Sequence, residues 1–298
     1  MFMIDKKLLT GIVLVLAILA VISAGCTQSG DQSTKADKGK IIGIEPGAGI
    51  MIHTEEAIDT YGLDYTLVSS SSAGMASELT KAIKEEKWIV VTGWTPHWMF
   101  ARYDLKYLDD PKGVYGGEEY IGTLARKDLK ADKPGLYSIL ERFNWKAEDM
   151  ESVMLSIEEG KKDTEAAQEW IDNNQETVSG WIGDIIGDGE KVSVGYVLWD
   201  SEIASTNVLK IVLEKAGFNV KISAVDAGPL YQAVADGDVD CTISAWLPAT
   251  QASYYEKYED DLVLVRKNLE GAKVGLVVPS YVTINSIDEL NSVKDKFN

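Results

Sequence analysis

Apolar positions along this chain switch repeatedly between two spacings. Short β-branched runs alternate with stretches in which apolar residues recur every three or four positions. Residues 40–45 read as a strand, broken by Pro46-Gly47-Ala48-Gly49. Residues 50–61 follow at helical spacing and stop at Gly62. A strand is expected at 65–68, then a polar cap at 69–72 and a helix through Glu86. Residues 88–92 read as a buried strand, and Asp109-Asp110-Pro111-Lys112-Gly113 as a turn. Residues 134–181 look largely helical, and the glycine-rich 180–189 looks like a join. Beyond it, strands are expected at 192–197, 219–225, 240–245, 262–266 and 273–278. Helices are expected at 202–216, 227–236, 247–258 and 286–297. Strands alternating with helices over short loops predict an α/β protein built on mostly parallel sheets covered by helices.

The pattern occurs twice. Trp94-Thr95-Pro96 returns as Trp246-Leu247-Pro248, an offset of 152 residues (246 − 94). Gly43 and Gly195 keep the same offset (195 − 43). Each half therefore reads as a lobe that carries a Trp at the end of its third strand. The predicted organisation is an export signal at 1–25, a tether at 26–39, a first α/β lobe with a helical extension at 40–185, and a second lobe at 186–298. Ligands of such sheets bind outside the carboxyl ends of the strands. Trp94, Trp199, Trp246 and the loop at 46–49 all fall at such ends.

Composition adds the setting. Lys6 and Lys7 precede an apolar run from Leu8 to Ile22, and Ser23-Ala24-Gly25-Cys26 follows. The run is short for a bilayer span and reads as a signal peptide. Small residues before a lone cysteine predict acylation of Cys26, although Ser23 stands where an aliphatic residue is usual. The alternative is an uncleaved N-terminal anchor. Either places the domain on the extracytoplasmic side of the cell membrane. Polar residues 27–39 have no apolar period and read as a flexible tether. The chain has two cysteines, Cys26 and Cys241, so neither a disulfide framework nor a cysteine metal site is expected. A net charge of −18 argues against nucleic acid as a partner.

Trp94 and Trp246 are the leading candidates for chemistry. Indole faces attract a cation, and a trimethylammonium group, which cannot donate a hydrogen bond, is best met by such faces. The plainer alternative is that both are core residues; the repeat and the strand-end position weigh against it. Trp199 either lines the cleft or caps the helix beginning near Ser201. His97, three residues past Trp94, either donates to a carboxylate or is a turn histidine. The segments 47–51 and 201–205 each open a helix, whose free N–H groups suit a carboxylate. Met51 is either a polarisable cleft contact or helix packing. Gly47-Ala48-Gly49 lacks the rest of a dinucleotide fingerprint, and there is no nucleophile elbow, His-Glu-x-x-His or P-loop. No catalytic residue, metal site or cofactor is expected.

Several stretches together resemble one family. They are Gly43 to Met51, Val91 to Trp98, Tyr103 to Leu108, Trp199 to Asn207 and Ser244 to Pro248. They look like the glycine betaine-binding proteins of ABC osmolyte importers, over nearly everything from Lys40 onward. The resemblance implies the two-lobed periplasmic-binding-protein (Venus flytrap) fold and a tryptophan cage that includes Trp94 and Trp246. It implies His97 and the Glu202-Ile203 backbone as carboxylate donors, and delivery of the ligand to ABC permease subunits for osmoprotection. In many relatives the half carrying Trp199 comes first, so the order here looks circularly permuted. Some relatives carry an aromatic in the loop that is Gly47-Ala48-Gly49 here, which makes Trp199 the substitute third ring. Open alternatives are a carrier of choline, carnitine or another quaternary amine, a ligand sensor, and an extracellular enzyme on the same fold.

Overall fold

The structure is a computed structural model and describes residues 38–298. The export segment, Cys26 and most of the tether lie outside the described residues. None of the described helices is long and apolar enough to cross a membrane.

Two parallel three-stranded units carry the architecture. In the first, β1 (Gly39–Ile42) lies between β2 (Tyr65–Val68) and β3 (Val91–Thr95). In the second, β6 (Lys191–Tyr196) lies between β7 (Asn219–Ala224) and β8 (Cys241–Leu247). Each unit thus runs second, first, third strand, and the sequence repeat is a repeat of topology. Each is extended by an antiparallel strand, β9 (Leu262–Pro279) beside β3 and β5 (Glu119–Arg126) beside β8. A short β4 (Leu105–Tyr107) also pairs with β9. The sheet is mixed rather than mostly parallel, because those added strands run against their neighbours.

β9 corrects two expectations. Residues 262–266 and 273–278 belong to one 18-residue strand. The polar 267–272 interval that separates them in the sequence stays extended, because β5 pairs with it through a ladder with three register shifts. Gly271, at φ +80°, supplies a backbone turn that a side chain would oppose. The strand also crosses the expected lobe boundary. Its first part pairs with β5 in the second sheet region, and Lys273–Val277 pair with β3 in the first. β5 lies in the second region as well, although it precedes residue 185. A single cut at 185/186 therefore understates how often the chain passes between lobes.

Helices cover the strands. α1 (Gly49–Tyr61) ends on Gly62 in the left-handed conformation, as its position predicted. α2 (Ser72–Lys84) is capped by Ser71, whose hydroxyl accepts from the Gly74 N–H. The short α3 (Trp98–Arg102) follows β3. After α4 (Leu129–Asp132) and α5 (Pro134–Arg142) come α6 (Ala147–Glu158), α7 (Asp163–Asn173) and α8 (Gln175–Ile182). The expected helical extension is present, but α6 and α7 pack on α9 (Asp200–Lys215), the long helix of the second half. α9 is buried on most of its faces, which explains its weak amphipathic pattern. α10 (Ala227–Ala235) and α11 (Ala252–Tyr258) complete the second half. The expected helix at 247–258 starts late because β8 runs through Leu247. The last expected helix is a 3-10 segment, Ile287–Lys296, kinked at Val293.

Candidate functional site

β3 and β8 each deliver a tryptophan as their penultimate residue. Both following X–Pro bonds are cis. Trp94 and Trp246 are buried and face one cavity, which Trp199 joins from the N-cap position of α9. Ile44, Ala48, Gly49, Ile50, Thr250 and Val274 complete the lining of this one small cavity. The lining is almost wholly apolar. A cation entering it would meet ring faces rather than competing water.

The three indole N–H groups point away from that space and are all held. Trp246 Nε1 donates to Glu202 Oε1 at 2.8 Å. Trp94 Nε1 donates to the Ser201 hydroxyl at 3.2 Å, and that hydroxyl donates to Glu202 Oε2 at 2.7 Å. Trp199 Nε1 donates to Glu45. The rings are thereby fixed in orientation, a condition for presenting faces to a ligand. Behind Trp246, Gln251 Oε1 accepts from the Trp246 backbone N–H and from the Tyr231 hydroxyl, both at 2.9 Å.

One wall offers unpaired backbone donors. α1 begins at Gly49 behind Ala48, which provides no side-chain cap. Among the described hydrogen bonds, the N–H groups of Gly49 and Ile50 have no partner, while Met51 and Ile52 donate to Ala48 O. This helix N-terminus, with its positive dipole end, opens on the cavity and suits a carboxylate.

The other expected donors are not available. Ile203 N–H donates to Trp199 O at 2.8 Å inside α9, and the Glu202 N–H is turned to its own carboxylate. Reading 201–205 as a donor loop missed that its first turn is buried and internally satisfied. His97 is also displaced from the expected role. It is fully buried, and its ring stands edge-on to Trp94 with centroids 4.7 Å apart. Nδ1 accepts from the Met99 N–H at 3.2 Å, and Nε2 faces Asp200 Oδ2 at 3.5 Å. The histidine caps α3 and is outside the cavity lining. Met51 is packing as well: its sulfur accepts from the Ile44 N–H at 3.2 Å. Gly47, at φ +87°, forms the rim, where its carbonyl accepts from the Tyr254 hydroxyl at 2.7 Å.

Carboxylates that the sequence did not single out organise the site. Asp200 receives the Ser72 hydroxyl at 2.6 Å and the Trp98 Nε1 at 3.0 Å, both from the first lobe. Burial alone would raise the Asp200 carboxyl. His97, Ser72 and Trp98 outweigh it and hold the group well below the usual carboxylate range. Glu202 is buried without a cationic partner. Burial pushes it up to about 7, against the pull of Ser201, Trp246 and its own N–H, and Asp200 adds to the rise. Glu119 receives the Thr250 N–H at 3.2 Å and its hydroxyl at 2.5 Å, fixing the loop after β8. The available signal was Asp200-Ser201-Glu202 directly after Trp199. Three polar residues at a helix start ordinarily face water, and here they do not. No group of acidic, histidine or cysteine side chains among the described residues could hold a metal ion.

Tryptophans and a helix N-terminus gathered around one small cavity of an α/β fold are the arrangement of a solute-binding protein. The sequence profile of the family described as the substrate-binding domain of ABC-type glycine betaine transport systems matches residues 26–173 and 190–298, and the chain belongs to that family. It is 46% identical over 299 residues to a glycine betaine/carnitine transport binding protein of Listeria monocytogenes, covering 97% of this chain and 99% of that one. Two solved structures are also similar. Lactococcal OpuAC, closed with glycine betaine, is 51% identical over 48% of this chain and 57% of that chain, with a TM-score of 0.47. A glycine betaine/L-proline-binding protein (ProX) of Borrelia burgdorferi is 34% identical over 49% and 56%, with a TM-score of 0.43. The chain spans little more than half the length of these two structures.

Proposed function

We propose that this protein captures glycine betaine, or a close betaine such as proline betaine, and delivers it to an ABC permease for osmoprotection. The observation that carries the reading is the convergence of Trp94, Trp199 and Trp246 on one apolar cavity beside the free N–H groups of Gly49 and Ile50. The rings suit the trimethylammonium group, and the helix end suits the carboxylate. Acylation at Cys26 would hold the domain at the extracytoplasmic membrane face.

Calorimetry on the single variants tests the cage. Trp94→Ala and Trp246→Ala are each expected to weaken glycine betaine binding at least about tenfold, as loss of a desolvated cation–π contact of about 2 kcal/mol requires. Trp88→Ala, remote from the cavity, should leave it unchanged. Wild-type affinity in both cage variants would remove the assignment. Carnitine is a second ligand to test, because the Listeria relative's name includes it. A panel of glycine betaine, proline betaine, carnitine and choline separates them. Choline has no carboxylate, so a preference for it would discard the role given to Gly49 and Ile50.

A further inference from the structure

Among the described residues, Glu202 is the fully buried carboxylate whose hydrogen bonds lead to two walls of the cavity. It is 1% exposed, and no lysine or arginine is among its partners. Burying an anion without a counter-ion is costly, and a purely structural site would be served as well by an amide. The donors around it nevertheless suit an anion. Oε1 accepts from Trp246 Nε1–H, and Oε2 accepts from the Ser201 hydroxyl, which in turn accepts from Trp94 Nε1–H. Glu202's own N–H is also directed to the carboxylate. A proton on Oε1 would face only the Trp246 N–H, and one on Oε2 would have to turn the Ser201 hydroxyl around.

We propose that Glu202 is the counter-charge of the cage, a positioning residue whose negative charge, relayed through the indole N–H groups of Trp246 and Trp94, favours a cationic ligand over a neutral one of the same shape. Two effects act in the same direction. An N–H donated to an anion pushes electron density toward the ring faces, which strengthens their attraction for a cation. The buried charge also acts directly on the ligand across a medium of low dielectric. This inference rests on the quaternary-ammonium reading above and adds the group that sets charge selectivity and pH response. The other titratable groups nearby are Asp200 on the same turn of α9, His97 from the β3–α3 loop, and Glu45, which holds Trp199.

The test compares wild type with Glu202→Gln by calorimetry from pH 5.5 to 8.5. The ligands are glycine betaine and its isostere 3,3-dimethylbutanoate, which keeps the carboxylate but carries an uncharged tert-butyl head. Wild-type affinity for glycine betaine should fall as the pH drops below about 7, where burial places the carboxyl. Glu202→Gln should bind glycine betaine about tenfold more weakly at pH 8, with a flat pH profile, and should bind the isostere no more weakly than wild type does. Near pH 7, binding enthalpies in buffers of different ionisation heat should reveal proton release by wild type and none by the variant. If the variant binds glycine betaine like wild type at pH 8, the inference fails. Equal loss of both ligands would expose a packing defect and also overturn it. Proton release that persists in the variant would place the titration on another group and overturn it too. Should Glu202→Gln not fold, the wild-type pH profile and proton release decide alone, and a flat profile with no release is fatal. Wild type that binds no glycine betaine would sink the functional reading itself, which is a different result from any of these.

Discussion

Gly49 lies tightly against Thr250 of the second half. A Cβ built there would lie 1.9 Å from Thr250 O and 2.8 Å from Thr250 C. The obstacle is backbone, so no rotamer change relieves it; only separation of the lobes does. Gly49→Ala is therefore expected to lower ligand affinity at least about tenfold, the equivalent of ~1.4 kcal/mol, while the melting temperature of the ligand-free protein changes little. Unchanged affinity would show that the lobes need not approach so closely to bind. Glu202 makes a second residue-scale prediction. Its carboxyl is raised in the fold, from 4.5 to about 7. Its contribution to stability is thus complete below about pH 4.5 and lost as the pH rises through 7. Thermal melts of the ligand-free protein should show a decline across that window that Glu202→Gln lacks. The tryptophans were legible because a repeat placed both at strand ends. Glu202 was not, because carboxylates are rarely buried and sequence alone does not tell which ones are. His97 was misassigned because its spacing from Trp94 does not say on which side of the ring it sits.

Among the elements, α9 has the most specific duty. Its first turn carries Trp199 into the cavity, links Asp200 to the first lobe, and places Glu202 behind two rings. Asp200 reaches Ser72 at the start of α2 and Trp98 at the start of α3, so one carboxylate joins three helix beginnings. Replacing Asp200 by Ala would remove the tether and leave His97 facing nothing. The expected result is weaker ligand binding, read by calorimetry, with a smaller loss for Ser72→Ala because Trp98 remains bound. Loss equal to or below that of Ser72→Ala would show that Asp200 does not join the lobes. The pH sign is opposite to that of Glu202. The Asp200 carboxyl is depressed, so its contribution is present above the ordinary value of 3.8 and lost as the pH falls below it. Element type was legible along most of the chain because periodicity of 2 or 3.6 survives in each segment. β5 and the middle of β9 were not legible. Residues 119–126 and 267–272 mix glycine and charge, and strand pairing keeps them extended, β5 between β8 and β9 and 267–272 against β5.

Over the whole molecule, the chain end returns to its beginning. Lys40 N–H donates to Phe297 O at 2.8 Å, and the Phe297 ring packs against Tyr65 and Trp88. The end of the last segment thus lies against the first strand. The alignment with the Listeria relative runs through 97% of this chain and 99% of that one, so those two chains share one order of halves. The fold itself places little constraint on that order. Each half keeps its own second–first–third strand arrangement, and the halves meet through β5 and β9 rather than through the linker at 183–190. That linker is glycine-rich and includes Ile186, 83% exposed, so opening it removes little packing. A circular permutant that joins residue 298 to residue 38 through a short Gly-Ser linker, with new ends between Ile186 and Gly187, should therefore fold and bind as the native order does. The arrangement of Trp94, Trp199 and Trp246 does not depend on which half is made first, only on both sheets forming and closing. Circular dichroism melts and glycine betaine calorimetry on the permutant test this directly. A permutant that folds but binds at least about tenfold more weakly would mean that the 183–190 connection helps set the approach of the lobes, and that chain order is part of the binding site.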